Sequence, residues 1–350
     1  MPPRKRSAVG SARAAVRRAA PRPASPEAVE RLNPATIEAA VALGATRPLR
    51  IERPVVASSG PLGFGAEAGE SIDLRTIGLF VARGASLAPR RGGPAPRLVE
   101  VPGGLLHAIG RENPGIDEVV ERHGAAWRDA PCAVALSLVA GDERALVRLV
   151  ERLERRAEAL GLVAYELDAT VGAEALDGAR WESGTEALLS AIVAVRDATD
   201  RHLIVKVSPQ ATAIASLADS LADAGGDTLS VSGSPRGFLP DRRRRRAALA
   251  AGIGELSGPL IRPLALAAVA EVAPIARAAG IGLIGGGGVG SPADALDLLA
   301  AGAQAVALGS ALWADPGLPA AVTEGARRAA AARGYGAIGA LSGAALGSRR

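Results

Sequence analysis

Eight short, mostly unbroken apolar runs, with longer stretches between them, constrain this chain more than any other feature. They are "PVVAS" (54–58), "GLFVA" (78–82), "AVALSL" (133–138), "LVAYEL" (162–167), "LIVKV" (203–207), "TLSVS" (228–232), "IGLI" (281–284) and "AVAL" (305–308). Runs without polar alternation fit parallel strands covered on both faces. Helical patterns separate the later runs: 142–160, 185–200, 211–225, 261–280 and 291–302. Eight strands alternating with helices over about 300 residues is the count of a (β/α)8 TIM barrel, an α/β fold. A doubly wound open sheet is the alternative.

Composition sets the rest of the frame. The chain has 350 residues, 48% of them hydrophobic but only 2% aromatic, so its core is built from Ala, Val, Leu and Ile. The formal charge of +5 is unevenly placed, because the first 22 residues carry Arg and Lys and no acid. Residues 1–27 read as a disordered basic tail, and 28–350 as one barrel domain with an N-terminal helical cap around "NPATIEAAVAL". The tail has no signal-peptide core, and no run approaches the ~18 apolar residues of a membrane span. A cytoplasmic protein is expected, without nucleic-acid binding. One cysteine, Cys132, excludes an internal disulfide and a cysteine-based metal cage, and no metal is expected.

In a barrel the chemistry sits at the C-terminal strand ends. Four glycines crowd the end of the seventh run, "GLIGGGGVGS", and Gly309-Ser310 close the eighth. Bare backbone there suits a phosphate held by N–H groups, and Ser291 is a good cap for the helix that follows. A plain strand-to-helix turn is the other explanation. Only Lys5 and Lys206 are lysine among 41 basic residues. Lys206 lies in an apolar run, where an unpaired charge is costly. It faces either an anionic partner in the mouth or a carboxylate across the barrel, Asp168 or Glu166.

The stretches "ASSGPLGFG", "ARGASLAPRRGGPAPRLVEVPGGLLHAIGRENPG", "IVKVSP", "LSGPLIRPLAL", "IGGGGVGS" and "AVALGSAL" resemble the dihydroorotate dehydrogenase family, in its soluble class 1 branch. The likeness runs in order from about Pro54 to the C-terminus. It implies an FMN-containing barrel that oxidises dihydroorotate to orotate in pyrimidine synthesis. By that resemblance Gly287, Gly288, Gly309 and Ser310 take the FMN phosphate. Lys206 lies near the flavin, and Ser59, Gly84, Ser232 and Gly258 line it. Arg83 stands where the family has a lysine.

The substrate half departs from the family. "ELDATVGA" replaces Glu-Leu-Asn-Ile-Ser-Cys-Pro-Asn, so Val171 stands at the position of the family's proton-accepting cysteine. Asp168 and Ala173 replace asparagines, His107 replaces another, Arg111 a leucine, and Gly233-Ser234 an Asn-Thr pair. Each amide hydrogen bond lost from a buried substrate costs roughly 1–3 kcal/mol. Two replacement bases are expected, Thr170 and His107. His107, Arg111, Asp168 and Ser234 are the candidate substrate contacts, for a small acidic or pyrimidine-like molecule. The resulting expectation is a flavin oxidoreductase with altered substrate; a non-catalytic paralogue acting in binding or regulation is the alternative. A homodimer or an electron-transfer subunit is the expected partner. The loop run Arg242–Arg246 reads as solvated charge or as a contact for an anion or acidic partner, and Trp181 and Trp313 as core or lid.

Overall fold

The computed structural model describes residues 32–65, 71–170, 185–211 and 213–347. The basic tail, Val171, Ala173 and Trp181 lie outside these residues. All eight expected strands form: β1 (Val55–Ala57), β2 (Leu79–Ala85), β3 (Ala133–Leu138), β4 (Leu162–Asp168), β5 (His202–Val207), β6 (Thr228–Val231), β7 (Gly282–Gly286) and β8 (Ala305–Leu308). Each pairs in parallel with its neighbour in the chain, and β8 closes onto β1 through Val306↔Val55 and Leu308↔Ala57. The sheet is therefore a closed (β/α)8 barrel, and the open-sheet alternative is excluded.

Helices Ile116–Arg128, Glu143–Glu154, Thr185–Ala198, Ile214–Ser220, Arg262–Ala279, Pro292–Ala300 and Leu318–Ala331 follow β2 to β8 in turn. After β1 the described residues hold only a 3-10 turn, Leu74–Thr76. Helix Glu143–Glu154 shows the local logic: Asp142 caps it by accepting from the Ala145 N–H, and Leu146, Leu149, Val150 and Leu153 repeat at helical spacing to form its buried face. The membrane expectation needs one correction. Pro259–Ala279, with mean hydropathy 1.5, is long and apolar enough to cross a membrane by length and composition. In the fold it lies against the barrel, burying Ala265, Ala268, Val269, Val272, Ala273 and Ala276.

The cap is not helical over the described residues. Asn33 closes a 3-10 turn at Pro34–Thr36, and Val41–Leu43 and Leu49–Ile51 then form an antiparallel hairpin. Alternation decides this: Val41 and Leu43 are buried with Ala42 exposed between them, and Gly44 turns at φ 74°. Val41, Leu43 and Ile51 pack against inward residues of the barrel, among them Val56, Val81, Ala164, Ile204 and Ile284. The hairpin thus plugs the barrel floor. His202, at the start of β5, ties it down: one ring nitrogen meets the Arg47 carbonyl (2.7 Å) and the other the Thr228 hydroxyl (2.8 Å).

At the other end, the loops after β2 and β6 build a second, antiparallel sheet. Its strand order is Arg236–Phe238, Ile253–Ser257, Gly104–His107, Leu98–Val101, with Glu255 opposite His107. The arginine run forms the tip of a small hairpin closed by Pro240–Asp241 and Arg246–Ala247. Arg242 to Arg246 are all exposed.

Candidate active site at the barrel mouth

Strand alternation aims Glu166 and Asp168 to one side of β4, and register places Lys206 of β5 opposite Asp168. Two clusters result. In the first, the Lys206 ammonium donates to Ser59 Oγ (3.0 Å), and Ser59 donates to Glu166 Oε1 (2.8 Å). Lys206 Nζ lies 3.8 Å from the same carboxylate oxygen. The cross-barrel carboxylate weighed from sequence is therefore present, bridged by a serine. Ser232 is hydrogen-bonded to Ser230 (2.8 Å), which pairs with Lys206 across β6 and β5.

The second cluster centres on Arg111. Gly110 and Arg111 both have left-handed backbone, φ 74° and 56°, a costly geometry for arginine. The turn sends the guanidinium inward. It meets Asp168 Oδ2 (3.0 Å), Thr170 Oγ1 (2.9 Å) and both oxygens of Glu255 (3.3 and 3.4 Å). His107 Nδ1 lies 3.7 Å from Glu255 Oε2. Burial opposes charge on Asp168, but Arg111 and Lys206, helped by the Thr170 N–H and O–H, hold its carboxyl down to about 2. Burial pushes the Arg111 pKa down, and Asp168 and Glu255 more than reverse it. Burial lowers the His107 pKa; Glu255 pulls it up, while Arg111 and Lys206 push it further down.

The sequence-selected positions divide sharply. Thr170 is engaged on both sides, accepting from Arg111 and donating to Asp168, and Gly233 packs on its methyl. Ser234, half-buried, follows in that same loop. Arg111 reaches the mouth with its charge matched by carboxylates of this chain. Arg83, half-buried on β2, donates its N–H to the Gly63 carbonyl (2.9 Å). Trp313 is no core residue: it is 59% exposed and its indole donates to the Pro61 carbonyl (2.9 Å), linking the loops after β8 and β1. Cys132 is half-buried at the foot of β3, where burial pushes its thiol up to about 11. Among the described residues no cluster of His, Cys, Asp and Glu could hold a metal.

Glu255 was not legible as a site residue. A lone acid between glycines in "GIGELSG" joins His107 only through strand pairing across 148 residues.

The glycines answer the phosphate question in two ways. Gly287 and Gly288 turn at φ 119° and 74°, and a Cβ on Gly288 would strike the Arg262 backbone at 2.9 Å. Packing alone therefore demands them. Gly84 and Gly258 are likewise set by close contact, with Val139 and with Gly103–Gly104. Gly309 differs, because a Cβ there would meet nothing within 4 Å. Among the described residues the N–H groups of Gly287, Gly288, Gly309 and Ser310 have no acceptor, whereas Gly290 donates to Asp294. Four unpaired donors beside an open glycine fit a phosphate.

A family profile described as dihydroorotate dehydrogenase matches residues 46–328. The chain belongs to the dihydroorotate dehydrogenase family. A relative from Trichlorobacter lovleyi, called dihydroorotate dehydrogenase B (NAD(+)), catalytic subunit, is 37% identical over 299 residues, covering 85% of this chain and 96% of the relative. A protein of the same name from Geobacter sulfurreducens is 38% identical over 269 residues, covering 77% and 86%. The solved structure of the Eimeria tenella dihydroorotate dehydrogenase in complex with ferulenol shares the fold: TM-score 0.67, 20% identity, 84% of each chain covered.

Proposed function

We propose that this family member is an FMN-dependent oxidoreductase of the class 1 type that dehydrogenates a CH–CH bond of a substrate other than dihydroorotate. Bound flavin would supply the two-electron acceptor. The N–H groups of Gly287, Gly288, Gly309 and Ser310 would hold its phosphate, and Lys206 would place positive charge near its ring. One observation carries the altered substrate: the Arg111 guanidinium is locked onto Asp168, Glu255 and Thr170. Carboxylate and arginine on this face leave an incoming amide or carboxylate with few free partners. Val171 supplies no proton acceptor at the position where the resemblance expects a cysteine.

The names of the relatives, each a catalytic subunit with NAD(+) as part of the name, support an electron-transfer partner subunit. A homodimer and a cytoplasmic location belong to the same reading. The filled substrate face also favours a second reading, a flavin-binding paralogue without turnover. One experiment separates them: the visible spectrum of purified protein before and after anaerobic dihydropyrimidines. Flavin colour bleached faster by another dihydropyrimidine than by dihydroorotate supports the first reading. Colour that no donor bleaches supports the second. Colourless protein that rejects added FMN removes both.

A further inference from the structure

We propose that His107 is the proton acceptor of the mouth and that Glu255 is its positioning residue. This rests on the flavin oxidoreductase reading and supplies the base that reading lacks. Pairing of Gly104–His107 with Ile253–Ser257 sets the two residues directly opposite, on one face of the antiparallel sheet. Arg111 grips both oxygens of Glu255 and continues to Asp168 and Thr170, so the carboxylate is fixed between guanidinium and imidazole. His107 Nδ1 is buried and has no hydrogen-bond partner among the described residues, with Glu255 Oε2 at 3.7 Å. A lone pair turned toward a carboxylate is repelled, and an N–H is attracted. The neutral ring therefore carries its proton on Nδ1 and leaves its lone pair on Nε2. The other charged groups facing the ring are Arg111 and Lys206, and with burial they keep it neutral and ready to accept.

Thr170 is the weaker acceptor. Its hydroxyl donates to Asp168, whose carboxyl is held near 2 and takes no proton at neutral pH. At His107 the accounting closes. One C–H bond of the substrate breaks, its proton goes to Nε2 and its electron pair enters the new C=C bond. Bound flavin would supply the acceptor for hydride from the adjacent carbon, and Glu255 meets the imidazolium charge.

The chain holds three histidines, so the full-length protein labelled with 15N at histidine gives three resolvable rings. The expected result is a neutral His107 with its proton on Nδ1. Glu255→Gln should move its titration midpoint down by about one pH unit while His123 and His202 stay in place. A proton on Nε2, or a midpoint indifferent to Glu255→Gln, overturns the proposal. In FMN-loaded protein, His107→Gln should slow anaerobic bleaching by a dihydropyrimidine about 100-fold or more. Glu255→Gln should displace the acid limb of the bleaching rate by the same interval as the midpoint, and Glu255→Asp should partly restore it. Undiminished bleaching in His107→Gln overturns the proposal too. Failure to bind FMN would count against the oxidoreductase reading alone, because the ring spectra need no flavin.

Discussion

Arg111 is the residue whose removal should be felt most at the mouth. Arg111→Leu leaves buried Asp168 and half-buried Glu255 without their main counter-charge, which should cost roughly 3 kcal/mol or more in urea unfolding. Arg111→Leu with Asp168→Asn should recover part of that loss, because the buried Asp168 charge is then gone while half-buried Glu255 still lacks its guanidinium. Asp168 also sets an acid limit. Its folded carboxyl lies near 2, below the unfolded value of about 3.9, so its stabilisation is complete above about pH 4 and fades as pH falls toward 2. Asp168→Asn should therefore flatten the acid limb of stability by roughly 2 kcal/mol between those limits, read by urea midpoints at several pH values. Lys206 was legible in the sequence because a charge in an apolar run is conspicuous, and the replacements at 107, 111 and 168 were legible through the resemblance to the family's motifs. That Arg111 would answer Asp168 was not, since it depends on a left-handed turn at an arginine.

At the scale of elements, the glycine turns after β7 and β8 separate fold from ligand. Gly288→Ala puts a methyl into the Arg262 backbone at a left-handed φ, so it should lower the melting temperature even without flavin, by several degrees for a cost of about 1–3 kcal/mol. Gly309→Ala meets open space and should leave melting unchanged while weakening FMN binding about tenfold, measured by fluorescence titration. Equal effects of the two substitutions on melting would contradict this division. All eight strands were readable because buried parallel strands are continuous apolar runs. The floor hairpin was misread as helix because "EAAVAL" is rich in helix formers, yet alternate burial against the barrel interior outweighs that weak preference. The antiparallel sheet over the mouth escaped notice because its strands are short and its partners far apart in sequence.

For the whole molecule, charge and fold are carried by different parts of the chain. The positive balance comes from the first 22 residues, and the barrel beyond them holds slightly more acids than bases. Deleting residues 1–27 should leave the unfolding transition in place and abolish any low-salt retention on a polyanion column; a shift in the transition would show the tail packing on the barrel. The same composition makes Lys206 singular: beyond the chain's first amine and Lys5, it is the one primary amine in the protein. With its side chain only 9% exposed, it should resist amine-directed acylation in the closed molecule. Mass spectrometry of a single peptide would then register when this mouth opens and what shields it.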